Sequence, residues 1–236
     1  MRRPVALAAV LLAGTAAAAA AVAAAQPSPI TVTVTPKVTP NKAGTPAHPQ
    51  GVKLDLRLQI HYPPDYQLAL VQTVDVWFPK GGLYNGDKFP TCSYNRLNAL
   101  GPAGCPKESI MGRGSGVATA DTNFTYPKIT IVNGGQHEVF AYTILNNPAR
   151  VQTPVIGKIT RLSGRWSYKL HVVIPKVLQV VAGVPIVLHS LHLFAGRGDW
   201  LATTYCPPNH KWAYHAVTHF SSGDTLVTDG AVGCHS

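Results

Sequence analysis

The chain has 236 residues, with 20 Lys and Arg against 10 Asp and Glu, a formal charge of +10, and 46% hydrophobic residues. Apolar content is ample for a packed core, so cross-links would supplement that core rather than replace it. The basic residues are scattered without a Lys or Arg run, and no recognition module is visible, so nucleic-acid binding is not expected.

Met1, Arg2 and Arg3 precede an apolar run from Val5 to about Ala25 that ends in Ala23-Ala24-Ala25. A basic start, an apolar stretch and a small-residue A-x-A site make a secretory signal peptide, so 1–25 is expected to be removed and Gln26 to begin the mature chain. No later apolar run reaches the ~20 residues a spanning helix needs. No cysteine follows the leader for lipid attachment, and 231–236 carries no hydrophobic tail. A secreted or envelope-associated protein without a transmembrane anchor is expected, with 26–236 as a single domain.

Alternation of apolar and polar residues dominates the rest. Ile30, Val32 and Val34 alternate with Thr31, Thr33 and Thr35, and Leu54, Leu56, Leu58, Ile60 and Tyr62 with Asp55, Arg57, Gln59 and His61. Both read as strands with one wet face. The Pro- and Gly-bearing stretch 36–50 reads as a loop. Further strands are expected at 72–78, 114–120, 128–132, 137–145, 157–162, 166–174, 184–194 and 202–206, with short helical turns at 94–100 and 106–110. Trp212, Tyr214, Ala216, Thr218 and Phe220 share one face of a strand, Ser221-Ser222-Gly223-Asp224 turns, and 225–229 returns. Many short strands separated by turn residues predict an all-β fold, read as a single antiparallel two-sheet sandwich.

The four cysteines are even in number in an exported chain, which reads as a disulfide framework. Of three possible connectivities the local one is favoured. Pro and Gly between Cys92 and Cys105 suit a tight excursion, and Cys206 and Cys234 flank the last hairpin almost symmetrically. Catalytic cysteine readings fail on missing partners. Thr203-Thr204-Tyr205-Cys206 has no later arginine as a sortase requires, and Gly233-Cys234-His235 stops one residue on, before the arginine of an L,D-transpeptidase motif.

No cofactor or metal signature is expected. His215 and His219 share a strand face but stand about 13 Å apart, beyond one zinc ion's reach. Gly112-Arg113-Gly114-Ser115-Gly116 is neither a nucleophile elbow nor a phosphate loop, so its alternating glycines point to close packing or a bulge. The ten acids are dispersed, with no spacing that selects a glycosidase pair. Trp200 and Tyr205 are the aromatics placed as candidates for ligand contact; Trp212 and Tyr214 lie on the face assigned to the core.

Phe89-Pro90-Thr91-Cys92 and Cys105-Pro106-Lys107-Glu108-Ser109-Ile110-Met111-Gly112-Arg113-Gly114 together resemble a pattern in exported actinobacterial proteins, a cysteine loop followed by C-P-x-x-S-x-x-G-x-G and a strand. The closing Tyr205-Cys206-Pro207 to Cys234 segment is similar too. The resemblance covers about half of the chain after the leader. It implies export, paired cysteines and β structure, and carries over no activity. The functional expectation is a non-catalytic envelope or extracellular protein that binds or scaffolds, with an anionic wall polymer or glycan as partner; the alternative is a polysaccharide-active enzyme or carbohydrate-binding module.

Overall fold

The structure is a computed structural model that describes residues 29–64 and 69–236. The expected leader, 1–25, lies outside the described residues. Strands dominate: β1 (Thr31–Thr39), β2 (Gln50–Gly51), β3 (Lys53–His61), β4 (Val71–Pro79), β5 (Gly82–Tyr84), β6 (Ile110–Ala120), β7 (Asn123–Thr125) and β8 (Lys128–Asn133). They continue as β9 (Glu138–Leu145), β10 (Val151–Arg161), β11 (Trp166–Val173), β12 (Val180–Val181), β13 (Val184–Ala195), β14 (Leu201–Thr203), β15 (Lys211–Phe220) and β16 (Thr225–Gly233). Two short helices join them, α1 (Tyr94–Leu100) and α2 (Lys176–Gln179).

The main sheet runs β1-β3-β13-β6-β8-β9-β10-β11-β4-β15-β16 without interruption, with β7 and β12 as outliers. It curls until its two ends approach, so the sheet is a nearly closed barrel and not the expected two-sheet sandwich. The alternation reads identically in both architectures; what separates them is that one continuous ladder connects every long strand. A second sheet, β2-β14-β5, covers one end.

Alternation sorts side chains to the two faces. Val32, Val34 and Val38 lie across from Ile60, Leu58 and Leu54 on β3. Leu58 and Leu56 continue the same inward face to Leu191 and Leu193 on β13, and these to Gly116 and Gly114 on β6. The outward face carries Thr31, Thr33, Thr35 and Lys37 on β1 and Lys53, Asp55, Arg57, Gln59 and His61 on β3. On β1 and β3 the inward face is apolar and the outward face polar, the reverse of the strands of a membrane-spanning barrel. Among the described residues no helix is long and apolar enough to cross a membrane.

The alternating glycines serve close packing. A Cβ on Gly114 would run into Leu193, and one on Gly112 into the Phe194 carbonyl. The expected loop at 36–50 begins later: Pro36 to Thr39 belong to β1, with Pro36 across from Leu56. Proline is tolerated there because β1 ends the ladder and its other side needs no donor.

Both disulfides have the expected partners, Cys92–Cys105 and Cys206–Cys234, with Cα separations of 5.4 and 5.9 Å. The first packs with Leu97 of α1 against Val132, Phe140 and Tyr142 on the outside of the barrel. The second packs with Trp212, Ala43 and Val38, at the barrel end where β1 and β16 finish. Asn133, fully buried, organises the same end. Its Nδ2 donates toward the carbonyls of Gly86, Phe89 and Pro90, and its Oδ1 accepts from Trp200 Nε1 at 3.1 Å and from the Gly135 amide. The Tyr84 hydroxyl lies within 3.2 Å of that Oδ1 and of two carbonyls, and its single proton serves one of them.

Two stability predictions follow from these anchors. Replacing Cys206 and Cys234 by alanine should lower unfolding free energy by about 3.5 kcal/mol in urea titration, the loop-entropy value for this span. Asn133→Ala strands several buried polar groups at once and should cost at least about 3 kcal/mol in the same assay.

Candidate anion-binding wall

The pairing register builds a charged part of the outer wall. One transverse row reads Lys37, Asp55, Phe194, Arg113, Thr130 across β1, β3, β13, β6 and β8. The next row reads Thr35, Arg57, His192, Ser115, Lys128. A groove of about 690 Å³ lies over the first row and extends to Lys53 and Arg197 near the barrel end. Four cations, Lys37, Lys53, Arg113 and Arg197, line it, with Asp55 its one carboxylate.

Asp55 is already engaged. His192 Nε2 lies 2.8 Å from Asp55 Oδ1, while Arg57 Nε stands 3.9 Å from the same oxygen and 3.3 Å from His192 Nε2. A ring nitrogen cannot both donate to the carboxylate and accept from the guanidinium. The shorter contact decides: Nε2–H donates to Asp55, and Arg57, largely exposed, contributes little as an ion pair. Lys37, Lys53 and Arg113 form no ion pair among the described residues. Arg197 donates through Nη1 to the Lys107 carbonyl at 3.0 Å, which fixes the side chain without neutralising it. Phe194 is 42% exposed in the middle of these cations, with the His192 ring 4.3 Å away, centroid to centroid. The wall therefore offers positive charge without ion pairs around an exposed apolar ring.

A different array occupies the outside of β11, β4, β15 and β16. Trp77 and Trp166 flank His215, with ring centroids 5.0 and 6.3 Å away. Lys169 lies over the Trp77 ring and Arg165 over the Trp166 ring. Asp75 takes His171 Nδ1 at 2.8 Å and Lys169 Nζ at 2.9 Å on one oxygen. Burial pushes the Asp75 carboxyl up, but the bonds and charges of Lys169 and His171 outweigh it and hold the group below its ordinary value. His215 pairs with Asp229 at 2.8 Å.

The aromatics singled out from sequence separate. Trp200 is buried, its N–H satisfied by Asn133 and its ring edge-on to Tyr84. Tyr205 is exposed, and its carbonyl accepts from Trp212 Nε1 at 2.8 Å. Trp212 is buried with the second disulfide, so the two tryptophans do not share a groove. No group of three His, Cys, Asp or Glu able to hold a metal occurs among the described residues. Phe194, Arg113, Lys53 and Lys37 were missed in the sequence, where each stands alone. The wet face of 54–62 was the one visible signal, since it fixed Asp55 and Arg57 as outward.

Comparison with protein-family models, curated proteins and solved structures finds no match. The functional reading rests on the geometry.

The Asp75 cluster carries a pH prediction. Because the folded carboxyl is held below its ordinary value of 3.8, its stabilisation is complete above that pH and is lost as pH falls through the folded value. Asp75→Asn should cost about 1–2 kcal/mol near neutral pH. The gap from the native chain should close in acid, as followed by thermal unfolding across pH.

Proposed function

We propose that this chain is a non-catalytic, exported binding protein of the cell envelope whose β1–β3–β13–β6 outer wall holds an acidic glycan or wall polymer. The observation that carries this reading is the groove around Phe194, where four cations face one carboxylate already bonded to His192. Carboxylate or phosphate groups spaced along a polymer would bridge Lys37, Lys53, Arg113 and Arg197 through charge-assisted hydrogen bonds. The Phe194 ring would take the apolar face of a sugar between them. Guanidinium forks at Arg113 and Arg197 suit planar anions, and the exposed lysines supply non-directional attraction that weakens with salt. Export is supported by the leader sequence and by two disulfides, which persist in oxidising compartments.

A second reading, a carbohydrate-binding module, draws support from the Trp77–His215–Trp166 array. Neutral sugars would stack there without needing charge.

One titration separates them. Polygalacturonate should bind the 26–236 chain at low salt and be released as salt rises, and neutral dextran should not bind. Lys53→Glu with Arg113→Glu should weaken polygalacturonate binding at least tenfold, roughly 1.4 kcal/mol. Lys158→Glu on β10 and Trp166→Ala should change it little. Binding lost through Trp166→Ala and kept through the paired reversal would replace the first reading by the second.

A further inference from the structure

The inside of the barrel holds a second candidate site, independent of the outer wall. An eight-stranded barrel has an interior just wide enough for its own side chains, and eleven-stranded cans enclose a central helix. This ladder passes through eleven strands. No helix among the described residues runs inside it: α1 packs on the outer surface through Leu97, and α2 has four residues. The side chains facing inward at mid-barrel are no larger than leucine or tyrosine. Several lie flat along the wall: Tyr214 covers Gly230, and Leu170 covers Gly157.

The pattern of burial agrees. Both barrel ends are tightly packed, one by Met111, Ile131 and Trp200, the other by Ile30, Ile60 and Phe220. Between them Leu56, Leu191, Val74, Val76, Leu170 and Ala216 face inward, yet each is only partly buried and none joins a packed core cluster. A filled barrel would bury its middle best and its ends least. On these strands the order is inverted, as it is around a hollow centre, while inward-facing Val155 on β10 and Thr143 on β9 are buried.

The lining sets the chemistry of the occupant. The mid-barrel inward positions on β3, β13, β4, β11, β15 and β16 carry no Asp, Glu, Lys, Arg or His. The polar atoms there are hydroxyls, those of Thr218, Thr228, Tyr168 and Tyr214, and the Tyr214 OH has no hydrogen-bond partner among the described residues. Burial, then the Asp229 charge, pushes the Tyr214 phenol up, so it stays a neutral donor. An anionic head group would find no counter-charge on these six strands, with Arg161 at the exposed end of β10 the inward-parity cation beyond them, whereas hydrocarbon would find Leu and Val. We propose that the barrel interior is a binding chamber for a neutral, apolar lipid-like molecule, anchored by one hydrogen bond to Tyr214.

The test uses the uncharged fluorophore N-phenyl-1-naphthylamine with the folded 26–236 chain. Saturable fluorescence enhancement is expected, insensitive to salt and to Lys53→Glu/Arg113→Glu. Ala216→Phe and Val74→Phe, which project bulk into the chamber, should each weaken the probe at least tenfold, with melting temperatures equal to or above that of the native chain. Val227→Phe, outward on β16, should leave binding unchanged. A folded protein that does not enhance the probe overturns the proposal. So does loss of folding or a lowered melting temperature in both chamber variants, the result expected of a filled core. Probe binding unaffected by either chamber variant also overturns it, by placing the probe elsewhere.

Discussion

The structure depends on bringing together two strands that the ladder leaves unpaired. Every strand from β3 round to β15 has a neighbour on both sides; β1 and β16 have one each. An open edge is a template for further pairing, and a sheet this long with two of them invites association. Here the two edges approach each other and are tied at their ends. At one end Lys42 and His235 bridge, the Ala43 amide donates to the His235 carbonyl, and the His235 amide donates to Asn41. The Cys206–Cys234 disulfide lies in the same cluster as Val38 and Ala43, so it fastens the foot of the last hairpin beside the end of β1. At the other end Ile30 and Val32 pack with Phe220 and Leu226.

Closure then determines what each residue is for. In a curled sheet the period of two becomes a distinction between inside and outside. Leu54, Leu56, Leu58 and Ile60 turn inward, and their alternates Lys53, Asp55 and Arg57 are presented to solvent beside residues more than a hundred positions away. The rigid wall converts scattered charges into rows. The cations around Phe194 come from three strands and one loop, and antiparallel register holds them within one groove. In the same fold the proposed inner chamber and the outer wall would present different faces of the same strands to an apolar ligand and a charged one.

How much of this the sequence discloses follows from the range of each interaction. Local pattern shows β3 and β15 almost residue by residue, the first halves of β1 and β16, and α1 at Tyr94–Leu100, capped by Ser93. The cysteine pairs are legible because each closes a short loop. The barrel is not, since alternation in a sandwich and in a barrel is the same until the first and last strands are known to meet. Two- and three-residue strands such as β2 and β5 are too short to carry a period. Trp200 looked like a surface aromatic because nothing local reveals Asn133, the acceptor that lets its N–H be buried. The groove was hidden for a similar reason: Asp55 and His192 are 137 positions apart, and only pairing of β3 with β13 joins them.

The outer wall around Phe194 is the proposed binding face for an acidic polymer. Backbone amide NMR of the 26–236 chain, titrated with a short galacturonate oligomer, tests it most directly. Shift changes should concentrate on Lys37, Lys53, Asp55, Arg113, Phe194 and Arg197 and fade as salt is added. Changes centred instead on Trp77, Trp166 and His215, or spread without focus over the barrel, would contradict it.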